Sequence, residues 1–258
     1  MNTAARVESP RDAVVESDFV MAEPAAVASL LDDDSIHLWR LPYRRAQRRA
    51  PLCALLAAYL GIDAGAVMLH DDEYGKPRLL DHHDANAGTR HIEINCAQEA
   101  TPKRTTRNRD SEPLRFSWSH SGEMALAALA RGIEPGVDVE WLRERMHSLE
   151  LAHRFFDPAE ALALAAYPEA SRETAFLRLW CAKEAVLKAL GRGIAFGLER
   201  VAFARIADCW RPARFAAEAG DASAWKMQAL SPAPGYIGAL AWCGAPRKVR
   251  AWRALTSE

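Results

Sequence analysis

The sequence predicts a mixed α+β fold, and three observations lead to that prediction. Half of its 258 residues are hydrophobic, which is enough for a sizeable core in one large domain or two small ones. Some segments repeat apolar residues with helical spacing, whereas others alternate apolar and polar residues as strands do. The two kinds of segment follow one another in mixed order along the chain.

Composition and charge argue against several classes of protein. The net charge is −1 and the pI is about 6.7, so no global field attracts nucleic acid or an anionic membrane. The five cysteines include no C-x-x-C pair, which argues against a disulfide framework and favours a reducing cytoplasm. MNTAARVESPRDAVVESDF does not resemble a signal peptide. We therefore expect a cytoplasmic protein that binds neither nucleic acid nor membrane.

Two polar segments are expected to lie outside the core. Residues 1–30 are predicted to be a loose N-terminal leader, and residues 81–113 a polar insertion loop. The loop contains DHHD, but no spaced set of further ligands accompanies these residues to form a metal site. It also contains TPKRTTRNRD, which has no aromatic residue to stack on nucleic acid.

The first predicted helix covers Ala50–Ile62, where apolar residues keep helical spacing and the run is too short to span a bilayer. EYGKPRL, residues 73–79, is a predicted turn that carries Lys76 and Arg78. A run of arginines precedes the helix and is either a solvated face or an anion site. These arginines are Arg40, Arg44, Arg45, Arg48 and Arg49.

FSWSHSG, residues 116–122, places hydroxyl groups and an imidazole in one short segment. Adjacent residues of an extended chain point to opposite faces, so Ser119 and His120 are not expected to act together as a hydrolase nucleophile and base. Two interpretations stay open: hydrogen bonding to a phosphate, or a core histidine that backbone groups satisfy.

Met124–Leu129 and GVDVE, residues 136–140, are predicted strands. Alternation places Asp138 and Glu140 on one face, about 7 Å apart along the strand. A hard divalent cation relieves the repulsion between two such carboxylates, and Mg²⁺ is preferred where phosphates complete its coordination. For D-x-E taken alone, a solvent-facing acidic edge strand is the better interpretation.

The second half of the chain begins with helices and ends with strands. FFDPAEALALAA starts a predicted helix with Asp157 as its cap and Glu160 three residues later. LWCAKEAVLKALGRG, residues 179–193, belongs to another helix that glycine terminates. Beyond it, the segments VAFARI, WKMQAL, YIGALAW and VRAWRAL are predicted strands.

Lys183 is an unexpected residue in this last helix, because it lies near the middle of the apolar arc. Its stem could lie on the core while its ammonium stays in water. Glu184 and Lys188, at i and i+4, could be an ordinary surface pair that contributes about 0.3–0.5 kcal/mol. Taken alone, each residue favours the ordinary interpretation.

The order of four stretches changes that interpretation: EYGKP, FSWSHSG, GVDVE and WCAKEAVLK. In this order they resemble the 4′-phosphopantetheinyl transferases of the longer, surfactin-synthetase-activating type. The similarity covers roughly residues 40 to 200. The joint G-V-D-V-E and W-x-x-K-E-x-x-x-K pattern is highly specific, whereas G-K-P alone is not.

The resemblance implies both a fold and a reaction. The fold would have two similar α+β halves, residues 31–132 and 133–258, about a pseudo-two-fold axis with coenzyme A and Mg²⁺ in the cleft between them. At this length one chain should suffice, so a monomer is expected. The reaction would transfer the 4′-phosphopantetheine arm of coenzyme A to a serine of an apo acyl or peptidyl carrier protein and release adenosine 3′,5′-bisphosphate.

The resemblance also implies a role for each matching residue. Asp138, Glu140 and Glu184 match the metal-binding acids, and Glu184 also matches the base that accepts the serine proton. Lys188 matches the lysine that faces the pyrophosphate, where metal and ammonium together stabilise the transferring group.

Further residues match positions that bind the nucleotide end of coenzyme A. His120 is expected on the 3′-phosphate. Guanidinium groups suit phosphate oxygens. Among Arg44, Arg45, Arg48 and Arg49 we favour Arg49 as the arginine that binds a phosphate.

For Lys183 we hypothesise that its ammonium reaches an acid or a phosphate, because an unpaired buried ammonium is costly. The predicted cofactor-binding set is Arg45, Arg49, Lys76, Ser119, His120, Lys183 and Lys188.

Two alternative functions stay open at this point. One is a carrier-protein binding module without catalysis, although binding alone would not require Asp138, Glu140, Glu184 and Lys188 together. The other is a Mg²⁺-dependent phosphoesterase that uses the same acids with water as the nucleophile. Carrier recognition is expected at an apolar patch near the helix that starts at Pro158, with basic residues facing an acidic partner.

Overall fold

The computed structural model of the chain describes residues 13–80, 112–143, 147–206 and 209–254. Residues 81–111 of the predicted insertion loop, and with them DHHD and TPKRTTRNRD, lie outside the described residues. The described helices are α1 (Pro24–Val27), α2 (Ala50–Leu60), α3 (Ser148–Phe155), α4 (Pro158–Ala165) and α5 (Glu169–Leu190). The described strands are β1 (Ala13–Val15), β2 (Val20–Ala22), β3 (Ser35–Pro42), β4 (Leu69–Asp71), β5 (Pro77–Leu79), β6 (Leu114–Ser121), β7 (Met124–Arg131), β8 (Gly136–Trp141), β9 (Val201–Ile206), β10 (Cys209–Phe215), β11 (Trp225–Ser231), β12 (Tyr236–Cys243) and β13 (Lys248–Ala254).

Two larger sheets organise these strands, as the predicted mixed α+β class requires. One sheet has the order β2-β13-β3-β7-β6, and the other has the order β1-β11-β12-β8. The predicted strands at GVDVE, VAFARI, WKMQAL, YIGALAW and VRAWRAL are confirmed. The predicted EYGKPRL turn is also confirmed, since it joins β4 to β5.

The strands nearest the two ends of the described chain are exchanged between the sheets. β1 runs parallel to β11 in the four-stranded sheet, whereas β13 lies between β2 and β3 in the five-stranded sheet. The prediction of a loose leader is therefore wrong for residues 13–30. Val14 and Phe19 are buried in the core, and this burial stabilises the segment despite its polar composition.

The two sheets meet where β6, the edge of one, lies beside β8, the edge of the other. Serine side chains of β6 join the two edges. Ser117 Oγ accepts the Val137 N–H at 3.0 Å, and Ser121 Oγ accepts the Trp141 N–H at 3.0 Å. Because strand residues two apart share a face, the S-x-S-x-S pattern directs all three hydroxyls at β8. We call this contact the serine seam.

α5 packs against β8 and β12, and a glycine sets its distance from β8. A Cβ atom built on Gly136 would lie 1.9 Å from the Ala185 carbonyl oxygen and 2.6 Å from the Ala189 nitrogen. The backbone of the helix thus approaches the strand more closely than any side chain allows. This close packing brings side chains of α5 over β8.

Gly136→Ala is therefore expected to lower the free energy of unfolding by about 2–3 kcal/mol, because α5 must move away from β8. Urea denaturation measures the change. Gly65→Ala is the matched control, since Gly65 is exposed and its nearest contact is the Asp63 side chain. Equal effects of the two substitutions would contradict the close-packing argument.

Buried His37 gives the fold a predictable pH dependence. Its Nδ1 lies 2.6 Å from the Tyr59 hydroxyl, and burial, with a further contribution from Arg250, lowers its pKa to about 4. The unfolded chain takes up this proton near pH 6.5. The contribution of His37 to the free energy of unfolding should thus be complete above pH 6.5 and should fall by about 3 kcal/mol as the pH drops to 4.

Urea denaturation of the wild type and His37→Gln at pH 8, 6, 5 and 4 checks this expectation. The variant should be less stable than the wild type at pH 8 but should lose less stability between pH 6.5 and 4. If the variant loses stability between pH 6.5 and 4 as steeply as the wild type does, His37 does not cause the loss of stability in acid.

Candidate active site

Asp138, Ser119 and Lys188 form a hydrogen-bonded cluster at the serine seam. Lys188 Nζ lies 2.7 Å from Asp138 Oδ1 and donates to Ser119 Oγ at 2.8 Å. Ser119 Oγ donates to the same Asp138 oxygen at 2.8 Å. One residue comes from each of β6, β8 and α5, so the cluster joins the two sheets to the helix. It places an ammonium beside a buried carboxylate.

Glu184 lies one turn before Lys188 on α5 and is 8% exposed. Burial and the nearby Asp138 charge raise the pKa of Glu184 to about 7, although Lys188 opposes the shift. The carboxyl therefore gains and loses a proton near neutral pH. For Lys188, burial works against the charged form, but Asp138 and Glu184 outweigh it and raise the pKa.

Glu140 shares a face of β8 with Asp138, as strand alternation predicted. Ser121 Oγ donates to Glu140 Oε2 at 3.0 Å. The negative charge of Glu140 also contributes to the raised pKa of Glu184. Asp138 and Glu140 are therefore both near enough to act electrostatically on Glu184, the third predicted metal-binding acid.

Two carboxylate oxygens in this neighbourhood are buried without a hydrogen-bond partner: Asp138 Oδ2 and Glu184 Oε1. Buried polar atoms in proteins normally have partners, so these two are exceptions that need an explanation. Within the described ranges, no three His, Cys, Asp or Glu side chains are already gathered as a metal-binding group. The donor chemistry nevertheless fits a hard cation, because every donor is a carboxylate oxygen.

His120 lies on β6 next to Ser119 and faces the other side of the strand. Its imidazole stacks on the Tyr43 ring with centroids 4.1 Å apart and planes 15° apart. Partial burial and the positive charges of Lys188 and Arg45 lower its pKa. Two cations thus act on His120, a combination that suits an anion.

Two of the other predicted cofactor-binding cations, Arg49 and Lys76, lie in ion pairs. Arg49 Nη2 is 2.6 Å from Asp71 Oδ1 at a largely exposed position. Lys76 Nζ is 2.8 Å from Glu134 Oε2 in a mostly buried pair, and Arg78 Nη1 is 2.7 Å from Glu134 Oε1. Arg45, in contrast, opens an exposed 3₁₀ turn just after β3.

The prediction that Lys183 binds the cofactor is wrong, whereas the hypothesis that its ammonium reaches an acid is confirmed. Its side chain is fully buried and its ammonium lies 2.7 Å from Glu160 Oε2. It also donates to the carbonyl oxygens of Leu198 at 2.9 Å and Val201 at 2.7 Å. All three ammonium protons are satisfied inside the protein, so no phosphate can reach them. The alternative with the ammonium in water is excluded for the same reason.

Sequence reasoning missed several residues that shape the site. The predicted capping box of Asp157 and Glu160 at α4 is confirmed. The pairing of Glu160 with Lys183 was not predicted. Glu134, Tyr43 and the serines flanking Ser119 were also missed. Only the serines carried a signal, because S-x-S-x-S places alternate hydroxyls on one face of a strand.

Within the described part of the chain, no helix combines the length and apolarity that crossing a membrane requires.

The chain is similar in sequence to proteins of one enzyme family. The model of the 4′-phosphopantetheinyl transferase superfamily matches residues 134–241, which include β8 and α5. The chain is 29% identical to the 4′-phosphopantetheinyl transferase HetI of Nostoc sp. over 251 residues, or 85% of this chain and 92% of the relative.

Two other relatives match over shorter stretches. A putative 4′-phosphopantetheinyl transferase of Synechocystis sp. is 37% identical over 135 residues, which cover 50% of this chain and 53% of the relative. The 4′-phosphopantetheinyl transferase Sfp of Bacillus subtilis is 27% identical over 139 residues, which cover 54% and 47%.

Proposed function

We propose that this chain transfers the 4′-phosphopantetheine arm of coenzyme A to a serine of an acyl or peptidyl carrier protein. Its similarity to the 4′-phosphopantetheinyl transferase superfamily over residues 134–241, and to HetI at 29% identity over 85% of the chain, supports the proposal. The transfer is proposed to depend on Mg²⁺ and to release adenosine 3′,5′-bisphosphate. The observation that carries the proposal is the Asp138–Ser119–Lys188 cluster beside Glu184.

Asp138, Glu140 and Glu184 would hold the Mg²⁺ ion. The two unpartnered buried oxygens of Asp138 and Glu184 support this assignment, since a hard cation takes carboxylate oxygens. Bound there, Mg²⁺ would neutralise charge on the diphosphate of coenzyme A.

Glu184 and Lys188 are the proposed catalytic residues. The carrier serine oxygen forms a bond to the β-phosphorus of coenzyme A, and the bond from that phosphorus to the bridging oxygen breaks. The serine proton passes to the Glu184 carboxylate, directly or through a water molecule. The Lys188 ammonium stabilises the negative charge on the departing nucleotide phosphate.

Ser119, His120, Lys76, Arg45 and Arg49 are proposed to bind the nucleotide end, with His120 on the 3′-phosphate. The cationic surroundings of His120 support its assignment. Lys76 and Arg49 would contact phosphate while keeping, or exchanging, their present carboxylate partners Glu134 and Asp71. Lys183 is not part of this set.

The proposal includes the expected architecture and setting. Two similar halves, residues 31–132 and 133–258, would enclose coenzyme A in the cleft between them. A cytoplasmic monomer without nucleic-acid or membrane partners is expected, on the sequence arguments from charge and length. The carrier would dock near α4, where Leu162 is 68% exposed and Arg214 lies beside Asp157 at the helix start.

Mass spectrometry of an apo carrier protein, incubated with the chain, coenzyme A and Mg²⁺, tests the function. Transfer adds about 340 Da to the carrier, and chelation of Mg²⁺ should prevent the addition. Cleavage of coenzyme A without labelling of the carrier would indicate the phosphoesterase instead. Binding of the carrier without either reaction would indicate a binding module.

A further inference from the structure

Tyr43 is a buried aromatic residue that the proposed reaction does not yet use. It directly follows β3 and is 6% exposed, while His120, the residue on which it stacks, is exposed. Trp118 packs edge-on against both rings, with centroids 6.0 Å from Tyr43 and 6.4 Å from His120. Tyr43 therefore covers one face of the imidazole and leaves the ring edge open.

A small residue lies in the strand between the two stacked rings. β7 lies between β3 and β6, and Ala125 of β7 pairs with both Leu41 and His120. Ala125 carries only a methyl group, which leaves space on β7 for the stack of Tyr43 on His120. The Tyr43 N–H donates to the Glu123 carbonyl at 2.8 Å, which fixes the backbone at this point.

Stacking restricts a histidine in the way that a ligand-binding ring requires. An exposed imidazole rotates freely about its terminal torsion, for which the energy wells are broad. An aromatic neighbour at stacking distance attracts the imidazole and selects one ring plane. The chain then continues from Tyr43 directly into Arg44 and Arg45, and the positive charge of Arg45 acts on the same imidazole.

We propose that Tyr43 is a positioning residue that orients the His120 imidazole toward the 3′-phosphate of coenzyme A. The inference rests on the proposed function, in which His120 meets that phosphate. Tyr43 itself touches no reacting atom, so it acts on donor binding through His120. It should thus govern how strongly the protein prefers coenzyme A over 3′-dephospho-coenzyme A.

The test compares Tyr43→Leu with Tyr43→Phe, using both donors and an apo carrier protein. Tyr43→Leu should raise the KM for coenzyme A roughly 3- to 10-fold, with kcat within twofold of wild type and the KM for 3′-dephospho-coenzyme A unchanged. Tyr43→Phe keeps the stacking face and should behave as wild type with both donors. Equal effects of Tyr43→Leu on the two donors, or a Tyr43→Phe defect as large as that of Tyr43→Leu, would overturn the inference.

A double-mutant cycle with His120→Ala separates positioning from a general structural role. In the His120→Ala background, Tyr43→Leu should have no further effect on the KM for coenzyme A, whereas independent roles would give multiplied effects. If Tyr43→Leu does not fold, Tyr43→Met replaces it, because methionine keeps much of the volume without a planar face. Wild-type labelling of the carrier is the reference: its absence refutes the proposed function, whereas labelling without donor discrimination by Tyr43→Leu refutes only this inference.

Discussion

Asp138→Ala is expected to reduce carrier labelling by roughly 10²- to 10³-fold or more. Asp138 is a proposed metal ligand, and it also holds Lys188 and Ser119 in place. Its Oδ1 pairs with Lys188 and accepts the Ser119 hydroxyl. Its Oδ2 is one of the two unpartnered buried oxygens. The substitution thus removes a metal ligand and releases the ammonium from its place. The initial rate of mass addition to the carrier measures the effect.

The fold should survive this substitution. Lys188 is 26% exposed at its side chain, so the unpaired ammonium can turn toward water, and the loss of unfolding free energy should be no more than about 1–2 kcal/mol. Asp63→Ala is the matched control, since Asp63 is an exposed aspartate that caps a 3₁₀ turn. Full Mg²⁺-dependent activity of Asp138→Ala would refute the metal assignment.

Lys183→Met should have the largest effect on stability, a loss of about 3–5 kcal/mol in the free energy of unfolding. The ammonium joins α5 to Glu160 of α4 and to two carbonyl groups near the start of β9. Its removal leaves Glu160, which is 1% exposed, as a buried acid without its cation. Urea denaturation at pH 7 measures the loss.

The double variant Lys183→Met/Glu160→Gln should recover part of that stability, because glutamine removes the unpaired charge but keeps a similar shape. Lys226→Met is the surface control, since the Lys226 ammonium donates to a carbonyl at an exposed position. If Lys183→Met unfolds at the same urea concentration as wild type, the buried pair does not stabilise the protein.

The strands and helices that carry the candidate site were predictable because their signals are local. Alternation in GVDVE gave the shared face of Asp138 and Glu140, and helical spacing with a terminal glycine gave the end of α5 at Leu190. The convergence of β8 with Ser119 and Lys188 was predictable only through the resemblance, since no local pattern states which strands lie side by side.

Pairings between distant segments could not be read from the sequence. Lys183 occupies a central position on its helix whether its partner is water, a phosphate or Glu160, and the choice depends on how α4 packs against α5. The same holds for Lys76, whose partner Glu134 lies 58 residues away. β1 escaped prediction because three residues give too short a pattern, and its partner β11 begins beyond residue 220.

The exchange of terminal strands makes each sheet depend on both ends of the chain. A cleavage between Arg131 and Gly136 would yield one piece without β13, which is an interior strand of its sheet, and another piece without β1. Each piece would keep a strand that completes the other's sheet, so a nicked molecule should remain interlocked. The N-terminal piece, which lacks an interior strand, would have to bind β13 before its sheet could close.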